Sequence, residues 1–162
     1  MTDTRAATEL SSKIQRRLRR SLHVRHLDSG SCNGCDWELT ALLNPHYDLQ
    51  RLGIDFVASP RHADLLLVTG VMTRNLVDAA LRTYEAMPLP RLVVAVGACA
   101  VGGGVFAHTY AASGSVEPVL PVDVFIPGCP PRPEAIIDGL LMAVGRLAPR
   151  DAARPIQGAP PS

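Results

Sequence analysis

Asp64-Leu65-Leu66-Leu67-Val68-Thr69-Gly70 carries an unbroken apolar run, Leu65 to Val68, and ends at a glycine. A strand wetted on one face alternates apolar and polar residues, so a run apolar at every position suits a strand covered on both faces, as in a parallel sheet. Arg91-Leu92-Val93-Val94-Ala95-Val96-Gly97 repeats the pattern. Between the two, residues 75–86 set Leu76, Ala79, Ala80 and Tyr84 at helical spacing, and Pro88 and Pro90 close the helix.

Working outward, residues 22–27 read as a first strand. Residues 36–43 read as a helix that Asp36 caps and Asn44-Pro45 ends. Residues 47–52 add a turn, 54–58 and 122–126 two further strands, and 134–147 a last helix with Pro133 at its start. The order strand, helix, strand, strand, helix, strand, strand, helix predicts an α/β fold, an open, mostly parallel sheet with helices on both faces. Residues 105–121 read as a long irregular loop, of a length that is usually functional. Residues 1–9 read as loose, and 10–20 as a basic amphipathic helix in which Lys13, Arg16, Arg17, Arg19 and Arg20 surround Ile14 and Leu18. Such a helix suits a solvated surface, a partner subunit or an anionic membrane face. The expected division is a basic arm over 1–21, one domain over 22–147, and a disordered tail rich in Ala, Pro and Gly over 148–162.

At 162 residues the chain buries a proper core without needing disulfides or a metal staple. Hydrophobic residues make up 47% and charged residues 19%, which suggests more covered surface than a free monomer needs. Aromatics at 4% leave too few stacking platforms for single-stranded nucleic acid, so no nucleic-acid partner is expected. No run reaches the roughly 18 apolar residues of a spanning helix. The paired arginines at 16–17 and 19–20 are followed by His23, Arg25, His26 and Asp28 rather than by an apolar export segment, so a cytoplasmic location is expected.

The four cysteines are Cys32, Cys35, Cys99 and Cys129, spaced as Cys-x2-Cys, then 63 residues, then 29. Their loops follow the first, fourth and fifth predicted strands, which brings all four to the carboxyl edge of a parallel sheet, where such folds bind ligands. In a reducing compartment, loop cysteines serve as metal ligands or reactive thiols more often than as disulfides. A thioredoxin-type site would leave Cys99 and Cys129 without a role, and a structural zinc usually takes two short knuckles. The pattern favours an iron-sulfur cluster and leaves zinc or reactive thiols open. Gly34, Gly97 and Gly128, with Gly102, Gly103 and Gly104, would let backbone amides approach sulfur, or would simply form tight turns.

Four linked motifs carry a resemblance. They are Ser31-Cys32-Asn33-Gly34-Cys35-Asp36-Trp37-Glu38, Ser59-Pro60-Arg61-His62-Ala63-Asp64 with Thr69-Gly70, Gly97-Ala98-Cys99-Ala100, and Pro127-Gly128-Cys129-Pro130-Pro131-Arg132-Pro133-Glu134. From about residue 22 to 147 the chain resembles the small subunit of energy-converting nickel-iron hydrogenases of the formate hydrogenlyase type, homologous to the B subunit of respiratory complex I.

The resemblance implies a flavodoxin-like fold and one proximal 4Fe-4S cluster on Cys32, Cys35, Cys99 and Cys129. It implies a non-catalytic electron-transfer subunit between a large catalytic subunit and a ferredoxin-like iron-sulfur subunit, held at the inner membrane face by membrane subunits. Complex I relatives carry adjacent cysteines at the first motif, so Cys-x2-Cys favours the hydrogenase branch. A B-like subunit with its cluster beside a quinone site is the alternative within the class, and a zinc-stabilised interaction module the alternative outside it. Val71-Met72 departs from the Pro-Val usual after Gly70. Glu38 matches an acidic residue that would move protons near the subunit interface, or would be an ordinary residue near a helix N-terminus. Arg132 would tune the cluster or contact a neighbouring subunit, or would be an exposed loop arginine. His62 and His108 read as surface residues.

Overall fold

A computed structural model describes residues 4–146. In chain order the elements are α1 (Thr4–Leu18), β1 (Leu22–Asp28), α2 (Gly34–Ala41), β2 (Ile54–Phe56), β3 (Leu65–Thr69), β4 (Met72–Thr73), α3 (Val77–Glu85), β5 (Leu92–Val96), α4 (Ala98–Gly102), β6 (Ala112–Gly114), β7 (Val124–Ile126) and α5 (Pro133–Arg146). The main sheet runs β2-β1-β3-β5-β7 and every neighbouring pair is parallel. This is the doubly wound, flavodoxin-like order, whose switch point lies between β1 and β3.

The apolar runs explain why both faces are covered. Within β3, Leu65 and Leu67 join a core with Val24, Val94, Ile14 of α1, Leu39 of α2 and Leu140 of α5. Leu66 and Val68 turn to the opposite core, with Val93, Ala95, Tyr84 of α3 and Leu120. Each such side chain, fully buried, gains about 1.5–3 kcal/mol by leaving water. The α/β architecture expected from the sequence is therefore the observed one.

Four local readings differ. The first helix begins at Thr4 rather than at residue 10, and it is packed rather than free: Ile14 is 1% exposed in the core, and α1 lies on α5. Residues 105–121 are not wholly irregular, since β6 pairs antiparallel with β4 in a small second sheet. Asp36 does not cap α2. The helix starts at Gly34 behind Asn33, whose φ is 68°, with no side-chain cap, and the Asp36 carboxylate bonds elsewhere. The strands expected at 54–58 and 122–126 shorten to β2 and β7, which as edge strands are paired on one side only. The tail expected from residue 148 lies outside the described residues.

Candidate metal centre

Cys32 lies in the loop after β1, Cys35 in the first turn of α2, Cys99 in α4 directly after β5, and Cys129 in the loop after β7. All are free thiols, with Cys35 and Cys99 half-buried and Cys32 and Cys129 exposed. The loops are bound to one another. Gly97 N–H donates to Ile126 O at 2.8 Å and Ala98 N–H to Gly128 O at 2.7 Å, which holds the Cys99 segment beside the Cys129 segment. Ser29 Oγ donates to Thr69 O at 2.8 Å, pressing the Cys32 loop onto the end of β3.

Electrostatics record the convergence. Burial, then the Asp36 charge, then Cys32, Cys99 and Cys129 push the Cys35 thiol up to about 11. Burial, followed by Cys129 and Cys32, pushes Cys99 up as well. Each of these thiols thus feels others from different loops, and an occupant that favours thiolates would relieve the repulsion. Among the described residues, no three His, Cys, Asp or Glu side chains form a ready-made ligand group for one metal ion.

Two glycines stand against the thiols. A Cβ at Gly97, whose φ is +90°, would lie 2.5 Å from Cys35 Sγ, and one at Gly104 would lie 2.9 Å from Cys99 Sγ. Gly34 leaves ordinary contact with Cys32 Sγ at 3.6 Å, while a Cβ at Gly128 would collide with Pro131. Only the backbone fits beside Cys35 and Cys99. A soft, four-thiol donor set with glycine backbone against the sulfurs fits an iron-sulfur cluster.

Behind the Cys-x2-Cys loop lies a polar network that the spacing gave no signal for. Asp36 accepts from Ser31 Oγ and, at 2.8 Å, from Thr69 Oγ1, and His26 Nε2 stands 3.1 Å from it. His26 also lies 2.9 Å from Thr69 Oγ1. Burial lowers the His26 pKa more than the Asp36 and Asp28 charges raise it. Asp28 Oδ1 accepts from Gly30 and Ser31 N–H at 2.8 and 2.7 Å, shaping the turn before Cys32.

Glu38 of α2 and Arg132, just before α5, both act on Tyr47. Tyr47 OH donates to Glu134 Oε1 at 2.8 Å, and this bond, with burial and the Glu134 and Glu38 charges, raises the phenol against the pull of Arg132. The Glu134 carboxyl is lowered by its own backbone N–H and by Tyr47, helped by Arg132. His62 and His108 are exposed, and the His62 carbonyl lies 3.1 Å from His23 Nδ1.

Comparison with known proteins agrees with this architecture. Over 129 residues the chain is 50% identical to a probable membrane-bound hydrogenase subunit of Pyrococcus furiosus, covering 80% of this chain and 77% of that one. It is 42% identical over 154 residues to formate hydrogenlyase subunit 7 of Escherichia coli, covering 95% of this chain but 60% of the relative. A chain of the archaeal membrane-bound sulfane sulfur reductase, a respiratory membrane complex, superposes with a TM-score of 0.71 at 36% identity over 86% of this chain and 76% of that one. Residues 32–143 match the family model described as NADH ubiquinone oxidoreductase, 20 kDa subunit. With this sheet, this cysteine edge and these relatives, the chain belongs to that family of oxidoreductase-complex subunits.

Proposed function

We propose that the chain is the electron-transfer subunit of a membrane-associated, hydrogenase-type complex, and that Cys32, Cys35, Cys99 and Cys129 hold one proximal 4Fe-4S cluster. The observation that carries this is the convergence of four thiols from three strand-end loops, with glycine backbone against Cys35 and Cys99. When bound, such a cluster takes up and releases one electron at a time, at a potential set by burial, charge and hydrogen bonds to sulfur. The chain's own residues supply the setting. The thiols give up their protons on loading. Asp36, Ser31 and Thr69 hold the Cys32–Cys35 loop on the sheet edge. Gly34, Gly97 and Gly128 shape the backbone around the sulfurs, and the exposed Trp37 offers an indole to a covering partner.

The partners in this reading are a large hydrogenase or complex I-type subunit, a ferredoxin-like iron-sulfur subunit, and membrane subunits. The chain performs no bond chemistry of its own. Among its described residues no helix is long and apolar enough to cross a membrane, in keeping with attachment to the inner face through partners. Glu38 and Arg132, whose charges both reach Tyr47, are suited to passing protons or contacting a neighbour.

Anaerobic purification of the native complex tests the reading. Visible absorption with inorganic sulfide is expected, and Cys129→Ser is expected to deplete or convert the cluster and stop electron flow. A colourless, zinc-loaded chain refutes the cluster, and an intact cluster in Cys129→Ser refutes the four-ligand set.

A further inference from the structure

Asp36 stands directly after Cys35 in the first turn of α2, and its side chain is 22% exposed. Three groups hold the carboxylate. Ser31 Oγ and Thr69 Oγ1 donate to it, and His26 Nε2 lies 3.1 Å away. A hydroxyl has one proton, and Thr69 spends its proton on Asp36, so in the 2.9 Å contact between Thr69 Oγ1 and His26 Nε2 the ring is the donor. Neutral imidazole in that tautomer supplies such a proton. Burial lowers the His26 pKa below 6.5, so the ring is neutral at about pH 7.5. The donors therefore fix where the negative charge stands without cancelling it. Arg25 lines the same cleft of about 380 Å³ as Asp36, but among the described residues no lysine or arginine forms an ion pair with Asp36. At Cys35 the Asp36 charge acts more strongly than any of the other three thiols. A fixed carboxylate beside a site that takes up an electron opposes that electron, most strongly where water is partly shut out.

We infer that Asp36 is a positioning residue whose charge, held behind the Cys-x2-Cys loop, lowers the reduction potential of the thiol site. The inference rests on the proposed four-cysteine cluster and adds to it a residue outside the ligand set. Ser31 precedes Cys32 and Asp36 follows Cys35, so the bond between them closes the loop that carries both thiols. Thr69 then pins the same carboxylate to the end of β3. The charge cannot swing out to water without opening the loop, and a site biased in this way releases its electron more readily.

Redox titration of the native complex at about pH 7.5, followed by electron paramagnetic resonance, tests the inference. The signal lost in Cys129→Ser marks the cluster of this chain. Asp36→Asn keeps the shape and removes the charge; it should favour the reduced form about tenfold, a rise of about 59 mV for one electron. Thr69→Val keeps the charge and removes one donor, so its midpoint should stay or fall. An unchanged midpoint in Asp36→Asn overturns the inference and leaves the cluster standing. So does an equal rise in Thr69→Val, which would trace the effect to loop geometry instead of charge. Where Asp36→Asn assembles no cluster, His26→Lys decides, because it sets a cation beside an intact Asp36. Its midpoint should rise, and an unchanged one overturns the inference. A wild-type chain that carries zinc and no inorganic sulfide overturns both the inference and the proposed function.

Discussion

Gly97 shows how much a single hydrogen atom in place of a side chain decides at this site. Gly97→Ala would bring a methyl carbon 2.5 Å from Cys35 Sγ at a φ of +90°, so the thiol or the backbone must move. We expect a loss of about 1–3 kcal/mol in stability and a sharp fall in cluster content, read by thermal unfolding and visible absorption. Gly102→Ala is the control, because nothing lies within 4 Å of its Cβ and its φ is not positive, so both readouts should stay near wild type. His26 gives a pH test. Its folded-state pKa lies below the ordinary 6.5, chiefly through burial, so the unfolded chain takes up this proton first as the pH falls. Stability should therefore drop as the pH moves below 6.5 and level off below the folded-state pKa. His26→Gln should flatten that limb in denaturant titrations compared at about pH 7.5 and pH 5.

At the scale of elements, the decisive joint is between the start of β1 and the start of β3. Arg20 donates through both Nη atoms to Asp64 at 2.9 and 2.6 Å, and His23 N–H adds a third bond at 3.1 Å. Asp64 is 4% exposed, so the pair satisfies a carboxylate that water cannot reach. It also ties the end of the basic helix to the sheet, which its amphipathic pattern alone did not reveal. Arg20→Met leaves that carboxylate underpaired and should cost about 2 kcal/mol by chemical denaturation, less than a fully enclosed pair because the guanidinium is 44% exposed. An unchanged midpoint would show that His23 N–H suffices.

For the whole molecule, the exposed apolar residues gather on segments that flank the cysteines. Trp37 follows Cys35 in α2, and Val105 and Tyr110, 85% and 90% exposed, follow Cys99. A large partner covering this edge would exclude water from the thiols and bury these side chains together. Trp37→Ala should weaken association with the large subunit by about 2 kcal/mol or more while leaving unfolding of the chain unchanged. Comparing affinity with denaturation midpoint separates the two effects. An unaltered affinity would place the partner elsewhere.

Leu65–Val68 and Leu92–Val96 were enough to declare a buried parallel sheet, because strands covered on both faces have no polar side to show. The cysteines were legible for the same reason: each follows a strand, and parallel strands end together. Asp36, Arg20 and Arg25 were not legible, since a charged residue near a helix start or in a strand looks the same whether it caps, pairs or stands alone. Only the tertiary structure brought Thr69 and His26 to Asp36, enclosed Asp64 beneath Arg20, and left the Arg25 Nε buried beside an open cleft. Periodicity is a local property carried by neighbours in the chain, whereas a polar partner 33 or 44 residues away is chosen by packing.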